Sequence, residues 1–116
     1  MTETRPRRQI APGARRRVLA QRPRSVPWSA AFAPSPDVTT SIQDREALLL
    51  NRASGMQYTL NAVGTATWEL LDGRRPLAAV LGALAEQFDA PEAQLRRDLL
   101  ALVRVLRAEG LIQERR

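Results

Sequence analysis

Residues 54–73, SGMQYTLNAVGTATWELLDG, join a strand to a helix with no linker between them. Gly55 suits a left-handed turn position, where a side chain would be strained. Met56, Tyr58 and Leu60 then alternate with Gln57 and Thr59, the period-two pattern of a half-buried strand. Asn61 follows at once, a residue type that caps helices through its side-chain oxygen. The helix it opens carries Val63, Trp68 and Leu71 on one side, and Gly73 stands just past its end. Chemistry is hard to build here. Ser54, Thr65 and Thr67 have no His or Lys to activate them. Glu69 and Asp72, three apart, lack the further ligands a hard cation needs and read as a solvated face.

Working outward, Val38, Thr40 and Ile42 alternate with Thr39 and Ser41, residues 43–46 form a polar turn, and residues 47–50 make a short apolar run. With residues 56–60 this predicts three short strands in an antiparallel meander. Downstream, Pro76 suits the first turn of a second helix, on which Leu77, Val80, Leu81, Leu84 and Phe88 recur at helical spacing. Asp89 or Ala90 caps a third helix, with Pro91 and Glu92 in its opening turn and Gly110 as its stop. Leu111 and Ile112 then make a short apolar return.

On the third helix Leu95, Leu99, Leu102 and Leu106 fall within about 60° of one another, as a core stripe does. Arg96, Leu100, Val103 and Arg107 lie on one flank, spread to about 140° from Leu95 at 100° per residue. A solvated face has no need of that Leu and Val. Either the stripe is wide and packs on both the sheet and the second helix, or the flank walls a groove with cationic edges.

Composition narrows the options. Among 116 residues there is no Cys and no His, which removes thiolate chemistry, imidazole bases and the usual ligands of structural zinc. Neither a dinucleotide-binding glycine motif nor a phosphate-binding loop is present, and no cofactor is expected. No apolar run reaches the roughly 20 residues that cross a bilayer, so a cytoplasmic protein with no membrane partner is expected. The net charge of +6 is unevenly divided. Residues 1–24 hold eight Arg against Glu3, a net +7, whereas residues 25–116 hold ten Arg against eleven acids, a net −1. Residues 1–36 also contain six of the eight prolines and few periodic apolar positions. They read as a disordered basic tail before a domain at 37–116, although Val26, Trp28 and Phe32 offer apolar groups that can fold back.

The stretch at 54–73, an amphipathic helix after it, and DLLALVRVLRAEGLI at residues 98–112 together resemble the PqqD-like proteins, the recognition elements for ribosomally made precursor peptides. Gly55, Tyr58, Leu60, Asn61, Trp68, Leu71, Asp72 and Gly73 carry the likeness, which spans about residues 37–113. It implies an α+β, winged-helix-like fold: a three-stranded antiparallel sheet packed on three helices. It also implies a non-catalytic peptide chaperone that binds the leader of a precursor peptide and presents it to a modifying enzyme such as a radical SAM protein. Carried onto this chain, the leader adds as a strand beside Met56, Gln57, Tyr58, Thr59 and Leu60 and meets Arg96, Leu99, Leu100, Val103 and Arg107 on the third helix.

The physics supports such a task without catalytic groups. An open strand edge offers unpaired N–H and C=O groups to a guest strand, and a neighbouring helix supplies side-chain selectivity. Tyr58 and Trp68 are also natural core residues. A winged-helix DNA-binding regulator shares the same element count. Its third helix, however, needs exposed basic and amide residues at the N-terminal half, where this chain has Glu92, Gln94, Arg96, Arg97 and Asp98. Specific nucleic-acid binding is therefore not expected of the folded part.

Overall fold

The computed structural model describes residues 26–115 and the backbone of residues 4–6. Its strands are β1 (Thr4–Pro6), β2 (Ala31–Pro34), β3 (Val38–Gln43), β4 (Glu46–Asn51), β5 (Gln57–Leu60) and β6 (Ile112–Arg115). Its helices are α1 (Ala62–Leu70), α2 (Leu77–Gln87) and α3 (Glu92–Ala108), the last joined to β6 by a turn at residues 109–111. The α+β architecture of three helices and an antiparallel β3–β4–β5 meander matches the expectation from sequence.

The first hairpin turns at Asp44 and Arg45, both left-handed with φ of 51° and 67°. Two such residues give the backbone twist that matches paired strands. Across the meander, Thr40 faces Leu49 and Leu49 faces Tyr58. Ala47, Leu49, Tyr58 and Leu60 point to the helices and are fully buried.

The joint between β5 and α1 is fastened by polar groups as well as packing. The Asn61 side-chain oxygen accepts the Gly64 N–H at 2.9 Å, as a capping residue should. A Cβ at Gly64 would stand 3.2 Å from the Leu60 Cβ, so glycine lets the helix start hard against the strand. The Thr65 hydroxyl donates to the Leu60 carbonyl at 3.2 Å and accepts the Ala47 N–H at 2.9 Å. Trp68 is buried, and its indole N–H donates to the Thr40 hydroxyl at 3.1 Å. The helix thus closes on all three strands of the meander.

The sequence pattern alone assigns residues 1–36 to a tail; the structure places the later part of that stretch in the core. β2 and β6 form a separate antiparallel ribbon, with Phe32 opposite Glu114 and Pro34 opposite Ile112. Val26, Ala30 and Phe32 are buried, Phe32 completely. The physical reason lies at the start of α2, whose first N–H groups have no intrahelical acceptor. Leu77 and Ala78 donate instead to the carbonyls of Ala30 and Trp28 at 2.9 and 3.0 Å. Gly73 belongs to the same docking: its N–H donates to the Phe32 carbonyl at 2.8 Å, and its φ is +83°. A Cβ there would meet the Ala33 Cβ at 3.2 Å. Residues 4–6, also assigned to the tail, run as a strand; the remainder of that assignment falls on residues outside those described.

Asp72 closes the turn between α1 and α2. One carboxylate oxygen accepts the N–H groups of Arg74 and Arg75 at 2.8 and 2.9 Å, and those bonds hold its carboxyl below the ordinary aspartate range. On α2 Leu77, Val80, Leu81 and Leu84 are buried, and on α3 Leu95, Leu99, Leu102, Val103 and Leu106. Among the described residues no helix is long and apolar enough to cross a membrane.

Candidate functional site

The edge of β5 can be read residue by residue. The Asn51 N–H donates to the Met56 carbonyl at 3.0 Å, and the same register sets Leu49 opposite Tyr58 and Ala47 opposite Leu60. In an antiparallel ladder main-chain groups alternate between the two sides. Met56, Tyr58 and Leu60 therefore turn their N–H and C=O groups toward β4, while Gln57 and Thr59 turn theirs outward. Two residues, four polar groups, make up the edge.

The sequence pattern leaves this edge open, and the structure corrects that. β1 lies along it antiparallel, with Thr4 opposite Leu60, Arg5 opposite Thr59 and Pro6 opposite Tyr58. The register explains how a proline is accommodated. Pro6 faces Tyr58, whose main-chain groups turn inward, so the missing proline N–H removes no ladder bond. Arg5 faces the outward-turned Thr59. Among the described residues the pairing reaches Tyr58.

α3 presents opposite sides to its neighbours. The Tyr58 hydroxyl donates to the Glu109 carboxylate at 2.9 Å, and the Asn51 amide donates to the Glu109 carbonyl at 3.3 Å. The side of α3 turned to β5 is thus the one that carries Glu109. By helical geometry Asp98, Leu102 and Val105 lie within about 60° of it on the same row. Arg96, Leu100, Val103 and Arg107 centre about 160° away. That flank is covered from the N-terminal side: the Arg96 guanidinium lies 5.2 Å from the Trp28 ring centroid, and Arg107 lies 5.4 Å from that of Phe32. Arg96 also pairs with Glu92 at 3.1 Å.

The structure therefore divides the residues that the sequence reading gathers into one groove. Met56, Gln57 and Thr59 sit half-buried at the edge, while Tyr58 and Leu60 face inward and are fully buried. Leu99 and Val103 are core, and Leu100, partly buried, shares the flank of the two arginines. Asp98, Val105 and Glu109 enter in their place. One clue to Glu109 was available: a buried tyrosine hydroxyl needs a partner, and RAEGLI supplies the carboxylate. Tyr58→Phe is expected to lower stability by about 1 kcal/mol, the ordinary net worth of one such bond. Urea unfolding checks this, and an unchanged midpoint would show that the contact does not fasten α3 to β5.

A family model, Coenzyme PQQ synthesis protein D (PqqD), matches residues 46–112, from the start of β4 through α3 to the first residue of β6. The chain belongs to the PqqD family. Two solved structures share its fold. The first, "TbiB1 in Complex with the TbiA(beta) Leader Peptide", is 26% identical, with a TM-score of 0.64 over 70% of this chain and 94% of that one. The second, "Lasso peptide synthetase B1 complexed with the leader peptide", is 25% identical with the same TM-score, over 72% of this chain and 99% of that one. No curated protein matches the sequence. In this PqqD-family chain β1, β2 and β3 lie ahead of the matched stretch, and all of β6 but its first residue lies after it.

Proposed function

We propose that this PqqD-family chain is a non-catalytic recognition element that binds the leader of a ribosomally made precursor peptide and presents it to a modifying enzyme. The observation that carries this reading is the likeness, over most of the chain, to two proteins whose structures hold a leader peptide. A radical SAM protein is one class of enzyme that such an element serves.

The leader adds antiparallel to the outer edge of β5, bonding the main-chain groups of Gln57 and Thr59 along residues 56–60. Val105, half-buried, offers apolar contact from α3, and Asp98 and Glu109 give that wall an acidic character. Backbone bonds are worth roughly 0.5–1.5 kcal/mol each net, so the apolar contacts, at about 25 cal/mol per Å² buried, must supply much of the affinity. The side chains beside the edge are occupied in structural work. The Thr65 and Thr67 hydroxyls donate to the Leu60 and Val63 carbonyls, which leaves neither proton for nucleophilic chemistry. The regulator reading is not favoured: in the N-terminal half of α3, Arg96 is paired with Glu92 and the rest is mixed in charge.

The test is titration of the ¹⁵N-labelled chain with a synthetic leader from a precursor encoded beside its gene. Amide shifts centred on Gln57, Thr59 and Val105 are expected. A spectrum that stays unchanged at saturating peptide would sink the reading.

A further inference from the structure

We infer that β1 is a displaceable internal occupant of the leader edge, so that the chain gates its own peptide binding by strand exchange. The inference rests on the reading of the β5 edge as the leader site, and it names a regulation of that site.

Three observations carry it. The first is register. β1 takes the same edge, antiparallel, and sets a residue with a free N–H, Arg5, opposite the outward-turned Thr59, while Pro6 falls where no ladder bond is needed. The backbone is thus compatible with strand addition at that place. The second is length. Among the described residues β1 spans Thr4–Pro6 and reaches Tyr58, so it engages Thr59, one of the two outward residues. A guest that continues past Tyr58 gains the Gln57 groups as well. An occupant of this kind holds the edge when nothing else is present and yields to a longer strand.

The third is charge. The first eight residues hold Arg5, Arg7 and Arg8 against Glu3. The α3 row turned toward β5 carries Asp98 and Glu109 and no basic residue. Because β1 is joined covalently to the fold through residues 7–25, its effective concentration at the edge is on the order of millimolar, enough for a weak strand to compete. Apparent leader affinity falls by the fraction of molecules whose edge is free; an occupant in place nine times in ten weakens binding about tenfold.

The experiment uses the full chain. Arg5→Pro removes the main-chain N–H that faces Thr59; Arg5→Ala keeps that N–H and removes only the charge. Leader titration is run on all three chains, and amide exchange at Thr59 is followed without leader. Arg5→Pro is expected to bind the leader about tenfold more tightly than the native chain and to exchange its Thr59 amide about tenfold faster. Arg5→Ala should fall nearer the native chain in both. A synthetic peptide of residues 1–10 should compete with the leader on the Arg5→Pro chain. Equal leader affinity and equal Thr59 exchange in the native and Arg5→Pro chains would overturn the inference and leave the leader site standing. Absence of leader binding in every chain, with Thr59 exchange still faster in Arg5→Pro, would instead remove the leader reading and keep the strand contact.

Discussion

Thr59→Pro is expected to leave the fold intact and to weaken leader binding by about ten- to a hundredfold, the equivalent of roughly 1–3 kcal/mol. The asymmetry follows from which way Thr59 faces. Its N–H and C=O turn away from β4, so the substitution breaks no bond within the meander. Proline is tolerated on an edge strand whose N–H side is free of internal partners, and an extended Tyr58 is what a following proline prefers. The guest strand, in contrast, loses a donor near the centre of its ladder and meets the proline ring where that N–H stood. Since Arg5 pairs with Thr59, the change also loosens β1. Comparing Arg5→Pro with the Arg5→Pro, Thr59→Pro double variant separates the two effects. Calorimetric titration reads the affinity and urea unfolding the fold. Unaltered affinity in a folded double variant would exclude strand addition at this edge.

The largest effect on stability is expected at Phe32. Its side chain is wholly buried, and the segment around it supplies acceptors to Gly73, Leu77 and Ala78. Phe32→Ala leaves a cavity and costs about 3–5 kcal/mol by comparison with other buried aromatics. That is a large share of the roughly 5–15 kcal/mol that holds a small domain together. The exposed neighbour Ser29 serves as control, with Ser29→Ala expected within about 0.5 kcal/mol of the native chain. If thermal unfolding finds Phe32→Ala as stable as that control, the β2–β6 ribbon is an appendage.

Much of this architecture is legible in the sequence because its signals are local. The Leu95–Leu99–Leu102–Leu106 stripe repeats at helical spacing, and Asn61 caps α1 within three residues of the strand it follows. The ribbon is different. AFAP is four residues flanked by proline-rich sequence, and its partner IQER is mostly polar, so neither half shows a period. Their pairing spans nearly the whole domain, and only the folded chain brings Phe32 to the start of α2.

The candidate site divides along the same line. Alternation at residues 56–60 marks β5 as a strand, and the outward turn of Gln57 and Thr59 follows once its partner is known. The side of α3 that meets β5 does not follow. Hydrophobic spacing tells which positions on a helix are buried but not what buries them. Val103 and Leu100 therefore pass for a groove wall when they belong to the side facing Trp28 and Phe32. β1, three residues in an arginine- and proline-rich run, carries no periodic signal at all.

The docking of Gly73 against Ala33 and Phe32 bears on how this recognition element can be transplanted. A fusion cut at the boundaries of the family match would strip the acceptors from Gly73, Leu77 and Ala78 and uncover the apolar patch beside Arg96 and Arg107. Such a graft would be prone to self-association through a surface unrelated to its cargo. A portable module has to include residues 26–34, and any swap of the α1–α2 corner between relatives has to carry its matching ribbon with it.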